Sequence, residues 1–134
     1  MNLTDDSKDR LRRIRAWSAI SLARVMIRLP PETLQSVMVR ICRSAARGAT
    51  SDEASSAREL VCRLSRRCAS KGCLQRSVAT VLLCRSHGHA PDWRTGFSMN
   101  PFLAHAWVEA DGAPVGEPVA VDGYTVVHRA DVRG

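Results

Sequence analysis

Three residues of this chain could together perform nucleophilic acyl transfer: Cys73, His105 and Glu117. The cysteine opens an amphipathic stretch, the histidine lies in the strand-like run Ala104-His-Ala-Trp-Val-Glu109, and the glutamate falls on the next predicted strand. A thiol needs a base to become a thiolate, and the base needs a third group to hold its ring. This order of residues therefore suggests a cysteine protease or an acyltransferase.

The cysteine is predicted to stand at the start of a helix. Ser70 is expected to be the N-cap, which places Cys73 in the first turn. Unpaired N–H groups and the positive end of the helix dipole stabilise a thiolate there and lower the thiol pKa. We expect Gly88 to end this helix. Apolar side chains follow the cysteine at helical spacing: Leu74, Val78, Val81 and Leu82.

The histidine and the glutamate are predicted to meet across a hairpin. Alternation places His105 and Glu109 on the same face of their strand. A three-residue turn with Gly112 in the left-handed conformation would set His105 opposite Glu117. A two-residue turn would send Glu117 to the other side of the sheet. The predicted triad therefore depends on a bulge in this turn.

Other acids compete for the third position. Glu109 lies four residues from His105 along the strand, about 13 Å away, and is too distant to orient the ring. Asp122, at the following turn, is the reserve candidate, and Asp111 and Asp92 have less geometric support. The spacing alone also leaves open that the cysteine is a small buried helix residue and that the histidine is bonded only to backbone.

Around these residues the pattern predicts helices first and strands afterwards, an α+β fold. Helices are predicted over residues 5–29, from Pro31 to a stop at Gly48, over 52–67 and from Cys73 to Gly88. Strands are predicted over 93–98, 103–110, 115–121 and 124–129, with tight turns at Asp111-Gly112 and Asp122-Gly123. We expect one domain over residues 1–134. Residues 1–70 would be its helical part, and residues 71–134 a catalytic helix packed on an antiparallel sheet.

Composition narrows the function classes. With 45% hydrophobic and 25% charged residues the chain is typical of a globular protein. The formal charge of +7 raises the question of nucleic acid. The arginines are spread through the predicted helices among acidic and apolar residues, which favours solvated helix faces over a nucleic-acid surface. An acidic peptide or protein partner stays open.

The five cysteines are expected to be reduced and cytosolic, because their number is odd and the N-terminal stretch has no secretory pattern. The longest apolar run, residues 78–84, is far shorter than the roughly 20 residues that cross a bilayer. No Cys-x-x-Cys pair occurs, which disfavours zinc, and no cofactor is expected. The zinc ligands considered are Cys62, Cys68, Cys73, His87 and His89.

The remaining aromatic, cysteine and histidine residues are predicted to have structural roles rather than catalytic ones. Trp93 and Phe102 are expected in the core, and Trp107 is expected to shield the ion pair of His105 from water. His128 lies in the last strand without a nearby nucleophile. Core packing is expected for Cys42 and Cys84, and surface positions for His87 and His89.

A set of short motifs covers roughly the last 65 residues: Cys73-Leu-Gln-Arg-Ser77, Gly96-Phe97, Pro101-Phe-Leu-Ala-His-Ala-Trp-Val-Glu109, Asp111-Gly112 and Gly116-Glu117. This set resembles the transglutaminase-like cysteine peptidases that remove leader peptides in lasso peptide biosynthesis. The resemblance implies a papain- or transglutaminase-like fold and a triad of Cys73, His105 and Glu117. The family usually has aspartate in the third position, so Glu117 is a departure.

The resemblance also implies partners. Because the first 70 residues look helical, the chain resembles the stand-alone form, which works with a separate leader-recognition protein and an ATP-dependent lasso cyclase on a precursor peptide, in the bacterial cytoplasm. Two alternatives stay open. One is a noncatalytic, Arg-rich binding module that tolerates loss of Cys73, and the other is acyl transfer to an amine by the same triad.

Overall fold

The first part of the protein is built from helices. A computed structural model describes residues 3–117, 121 and 123–133. Two short strands, β1 (Arg47–Gly48) and β2 (His89–Ala90), pair in parallel outside the main sheet. The helices are α1 (Leu3–Met26), α2 (Pro31–Arg43), α3 (Ser51–Leu64), α4 (Arg66–Ala69) and α5 (Cys73–Arg85).

Local sequence explains where these helices begin. Pro31 opens α2 at a position that needs no N–H donor. Thr50 and Glu53 form a capping box at the start of α3. The single helix predicted over residues 52–67 is wrong in its last turn: the chain is extended at Ser65, whose hydroxyl accepts a hydrogen bond from the N–H of Cys68 and starts α4.

The second part forms an antiparallel sheet of order β5-β4-β3-β6. The predicted strand over residues 115–121 is wrong where the structure describes it, because β5 ends at Pro114 and residues 115–117 and 121 belong to no strand. Residues 118–120 and Asp122 lie outside the described residues. The sheet strands are β3 (Asp92–Ser98), β4 (Leu103–Ala110), β5 (Ala113–Pro114) and β6 (Thr125–Ala130). Helices packed on an antiparallel sheet confirm the predicted α+β class.

Helix α5 lies in the core, and polar side chains fasten it to three neighbouring segments. Gln75 Nε2 donates to the carbonyl of Ile20 in α1 at 3.2 Å. Ser77 Oγ accepts from Trp93 Nε1 in β3 at 3.0 Å. Arg76 Nη1 donates to the carbonyl of Cys68 in α4 at 2.8 Å. The start of α5 is therefore held in one position against helices and sheet together. In the described part of the chain, no helix combines the length and apolarity needed to cross a bilayer.

Gly72 should resist even the smallest substitution. A Cβ atom built on it would lie 2.7 Å from the carbonyl oxygen of Arg67. We expect Gly72→Ala to lower the free energy of unfolding by about 1–3 kcal/mol, because backbone must shift to admit the methyl group. Thermal denaturation measures this loss. Gly123→Ala is the matched control, since nothing lies within 4 Å of a Cβ there. Equal melting temperatures for the two variants would contradict the prediction.

Candidate active site

Cys73 is the first residue of α5, so its predicted position in the first helical turn is confirmed. The predicted cap is wrong. Ser70 ends α4, where its hydroxyl donates to the carbonyl of Arg66 at 3.0 Å, and Gly72 is the N-cap of α5 without a side-chain hydrogen bond. The N–H of Cys73 therefore belongs to the unpaired donors at the helix start. These donors and the helix dipole favour negative charge on the sulfur.

His105 and Glu117 form a close pair. His105 lies on β4, and its Nε2 is 2.6 Å from Glu117 Oε2. The Glu117 side chain is 6% exposed and that of His105 is 21% exposed, so the pair is largely shielded from water. Because Nε2 faces the carboxylate, Nδ1 is the ring nitrogen left for the thiol of Cys73.

The hairpin brings His105 and Glu117 together by a backbone geometry that differs from the predicted one. The turn has two residues, Asp111 and Gly112, both with positive φ, and Ala110 pairs with Ala113. The predicted three-residue turn is therefore wrong. With a two-residue turn, regular alternation would put Glu117 on the face of the sheet opposite His105. Gly116 corrects this, because its φ of +69°, in the left-handed region that favours glycine, interrupts the alternation just before Glu117. The next residue, Glu117, then reaches the histidine face.

The thiol and the imidazole shift each other's protonation. The hydrogen bond to His105 lowers the pKa of the Cys73 thiol, and a hydrogen bond from the N–H of Ala106 lowers it further, against the opposing effect of burial. Hydrogen bonds to Cys73 and Glu117 raise the pKa of His105 to about 9. At neutral pH this pattern favours a thiolate beside an imidazolium.

Three other cysteines behave in the opposite way. Burial raises the pKa of the Cys42 and Cys84 thiols to about 12, and it also raises the pKa of Cys68. The predicted core positions of Cys42 and Cys84 are confirmed. Cys73 is therefore the thiol that the environment activates among these four.

We expect His105→Ala to slow alkylation of Cys73 by iodoacetamide about tenfold to a hundredfold at pH 6, because an unassisted thiol is almost fully protonated there. Peptide mass spectrometry measures the rate at each cysteine against pH. His87→Ala serves as the control, since His87 is an exposed histidine beyond the opposite end of α5 from Cys73. If Cys73 reacts at the wild-type rate in His105→Ala, the thiolate pair does not exist.

Aromatic rings enclose the imidazole. Trp107 stacks on His105 with ring centroids 5.9 Å apart, and Tyr124 lies 6.1 Å away on a tilted plane. Trp107 is 2% exposed, and its Nε1 donates to Glu109 Oε2 at 2.9 Å. The indole therefore covers the ring from water, and Glu109 is engaged with the indole rather than with the imidazole.

Two of the competing aspartates accept hydrogen bonds from backbone N–H groups away from His105. Asp92 Oδ1 accepts a hydrogen bond from the N–H of Val132 at 2.9 Å, and Asp111 Oδ2 accepts one from the N–H of Ser51 at 2.8 Å. Asp122, the reserve candidate, lies outside the described residues. Among the acids that the structure describes, Glu117 is the one bonded to His105.

An apolar cleft of about 370 Å³ opens at Cys73 and His105. Phe102 lies on its wall with 66% exposure, so the prediction that Phe102 belongs to the core is wrong, whereas Trp93 is buried as predicted. The ring of Phe102 is 5.9 Å from that of Phe97. Local pattern could not separate these roles, because Trp93 begins one predicted strand and Phe102 directly precedes another.

The positions of the other three histidines were only partly predicted from the sequence. His128 lines the same cleft as Cys73, a proximity that strand order creates and that sequence spacing does not reveal. His87 is exposed as predicted, but His89 is buried in β2, with Nδ1 3.5 Å from Glu53 Oε2. Within the described ranges, no three His, Cys, Asp or Glu side chains are grouped closely enough to hold a metal ion.

Comparison with known proteins yields one match. A family model described as "Transglutaminase-like superfamily" matches residues 16–129, which is most of the chain and includes all three candidate residues. No curated protein and no solved structure matches significantly.

Proposed function

This chain belongs to the transglutaminase-like superfamily, whose members are generally cysteine proteases or acyltransferases, and we propose that it is a peptidase that removes the leader from a lasso peptide precursor. The observation that carries the proposal is the arrangement at the start of α5. A cysteine with a lowered thiol pKa stands beside a histidine held at 2.6 Å by a shielded glutamate. This set of groups can attack a carbonyl and return a proton.

In the proposed mechanism the Cys73 thiolate attacks the carbonyl carbon at the junction of leader and core. Protonated His105 gives its proton to the leaving amine, which becomes the new amino terminus of the core. The leader stays on the sulfur as a thioester. His105 then takes a proton from water, which attacks the thioester and frees the leader acid. Glu117 holds the imidazole through Nε2, and the N–H of Cys73 is available to the oxyanion.

The cleft and the surrounding motifs support a peptide substrate. The cleft of about 370 Å³ is lined mainly by apolar side chains, including Leu74, Phe97 and Val127, together with Cys73 and His105. Extended peptide chains bind such grooves through their side chains. The resemblance of residues 73–117 to lasso leader peptidases narrows the substrate to a precursor leader.

The proposal includes separate partner proteins. In the described residues before α5, the elements are four helices and the two-residue strand β1. These elements differ from the strand-containing winged-helix module that recognises leaders in fused relatives. As the resemblance to the stand-alone lasso leader peptidases implies, we propose that a separate recognition protein delivers the leader and that a lasso cyclase takes the released core.

The test is a reaction of the protein with a lasso precursor and its recognition protein in water enriched in ¹⁸O. Mass spectrometry should find a free core and a leader whose new carboxylate carries one ¹⁸O atom, as hydrolysis of a thioester requires. A leader joined to an added amine would identify acyl transfer instead. An intact precursor, together with ordinary alkylation of Cys73, would favour the noncatalytic binding module.

A further inference from the structure

His105 lines two clefts, and only the apolar one contains Cys73. The second cleft, of about 360 Å³, opens beside Glu117 and is lined by two arginines, Arg58 and Arg76. Arg76 belongs to the motif Cys73-Leu-Gln-Arg-Ser77, and the proposed mechanism assigns it no role. The second cleft is therefore a positively charged space next to the reacting groups.

Arg76 is a buried cation with few partners. The residue is 7% exposed, and its Nη1 donates to the carbonyl of Cys68 at 2.8 Å. No carboxylate of the described residues lies within 4.0 Å of its guanidinium nitrogens. A guanidinium has five N–H donors, and no Arg76 nitrogen is among the buried side-chain atoms left without a partner, so the donors that Cys68 does not use stay accessible from the second cleft. Such a group favours the arrival of an anion.

Arg58 adds a second positive charge from α3. Its side chain runs against the backbone of Gly116, where a Cβ atom would lie 2.7 Å from Arg58 Cδ. Glu117 is the one carboxylate among the described residues that line this cleft, and its Oε2 is engaged by His105. Positive charge therefore exceeds negative charge around the space.

The charge of Arg76 also acts at the reacting sulfur. After the hydrogen bond to His105, which is the main cause, the positive charge of Arg76 helps to lower the pKa of Cys73. Since a Coulombic effect falls with distance, the guanidinium is close enough to the sulfur to act on an anion that approaches it.

We propose that Arg58 and Arg76 form a carboxylate-binding subsite beside His105, which recognises an acidic group of the peptide substrate close to the scissile bond. Arginine is suited to this task because its planar fork binds both oxygens of a carboxylate. The substrate side of this inference rests on the proposed peptidase function, whereas the subsite itself is a property of the free protein. An acidic side chain and a chain terminus both supply a carboxylate, and the experiment separates them.

The first experiment compares two alkylating reagents at Cys73. Iodoacetate carries a carboxylate and iodoacetamide does not, so the ratio of their rates reports the subsite. We expect this ratio to fall about threefold to tenfold in Arg58→Gln and Arg76→Gln, with the iodoacetamide rate changing much less. Arg58→Lys keeps the charge but loses the planar fork, so it should retain only part of the ratio. Arg63→Gln, at an exposed position of α3, is the control with the same change in net charge.

The second experiment identifies the source of the carboxylate by protection of Cys73 against iodoacetate. The probes are N-acetyl-aspartate N-methylamide, N-acetyl-asparagine N-methylamide and N-acetyl-alanine. Protection by the first alone assigns an acidic side chain, and protection by the third alone assigns a chain terminus. Equal protection by the asparagine compound, or no protection by any probe, would overturn the subsite.

The subsite would also be overturned if the ratio of the iodoacetate rate to the iodoacetamide rate at Cys73 were the same in wild type, Arg58→Gln and Arg63→Gln. Arg58 is only half-buried, so this variant remains informative if Arg76→Gln fails to fold. These measurements can contradict the proposed peptidase function and the proposed subsite independently of each other. A slow iodoacetamide reaction in the wild type argues against the thiolate pair, whereas an unchanged ratio beside a fast iodoacetamide reaction argues against the subsite alone.

Discussion

Replacing Cys73 with alanine should abolish removal of the leader, with a loss in kcat on the order of 10⁶-fold, as found when a protease loses its nucleophile. The reason is that Cys73 is the one cysteine among the described residues lining the apolar cleft, and its thiolate is a much stronger nucleophile than the hydroxyl of Thr95, which lines the same cleft. Cys73→Ser should be inactive as well, because a hydroxyl is not ionised by this histidine at neutral pH.

The measurement is the rate of core release from a precursor, with the recognition protein present, read by mass spectrometry. Cys62→Ala is the matched control, since Cys62 is a half-buried cysteine whose sulfur lies 3.9 Å from the carbonyl of Cys68. It should process at the wild-type rate. Release of the core by Cys73→Ala at even a hundredth of that rate would assign the nucleophile to another residue.

The parts of the fold that depend on residues close together in the sequence could be predicted from it. The first turn of α5, the start of α2 at Pro31 and the limits of β4 follow from spacing, proline chemistry and alternation within a few residues. The break at Ser65 was missed, because its neighbours are good helix formers and its hydroxyl caps α4 only after the chain has turned.

The predicted proximity of His105 and Glu117 rested on a turn geometry that is wrong. The prediction placed His105 opposite Glu117 by means of a bulge at Gly112, but the turn is the tight two-residue form and the change of side occurs at Gly116. Sequence lists glycines without giving their φ, so either position was compatible with the pattern. Gly116 had a signal that was not used: it directly precedes the glutamate that must change face.

The two clefts could not be predicted from the sequence. Phe102, His128 and Arg58 belong to different elements, and they reach the site only because the sheet order β5-β4-β3-β6 and the packing of α3 bring them there. No local period encodes these distances. Long-range packing thus supplies the walls of the site, while the candidate triad was predicted from residue type and order.

Replacing Glu117 with glutamine should lower processing by about 10²- to 10⁴-fold, because an amide can no longer stabilise the imidazolium that forms in the reaction. The shape of the side chain is kept, so the loss reports charge rather than packing. Asp122→Asn tests the reserve candidate, and Glu59→Gln, at an exposed position of α3, is the control for net charge. A large loss in Asp122→Asn beside a small loss in Glu117→Gln would transfer the role to Asp122.

The pH profile gives a second readout of the same residue. The reactive pair exists above the lowered pKa of Cys73 and below that of His105, so activity should fall as the pH rises through about 9. Glu117→Gln removes the carboxylate charge that helps to raise the pKa of His105 and leaves at most a weaker, neutral acceptor, so the alkaline limb should move to lower pH. If that limb stays in place while the rate falls, Glu117 acts on the fold of the hairpin and not on the protonation of the imidazole.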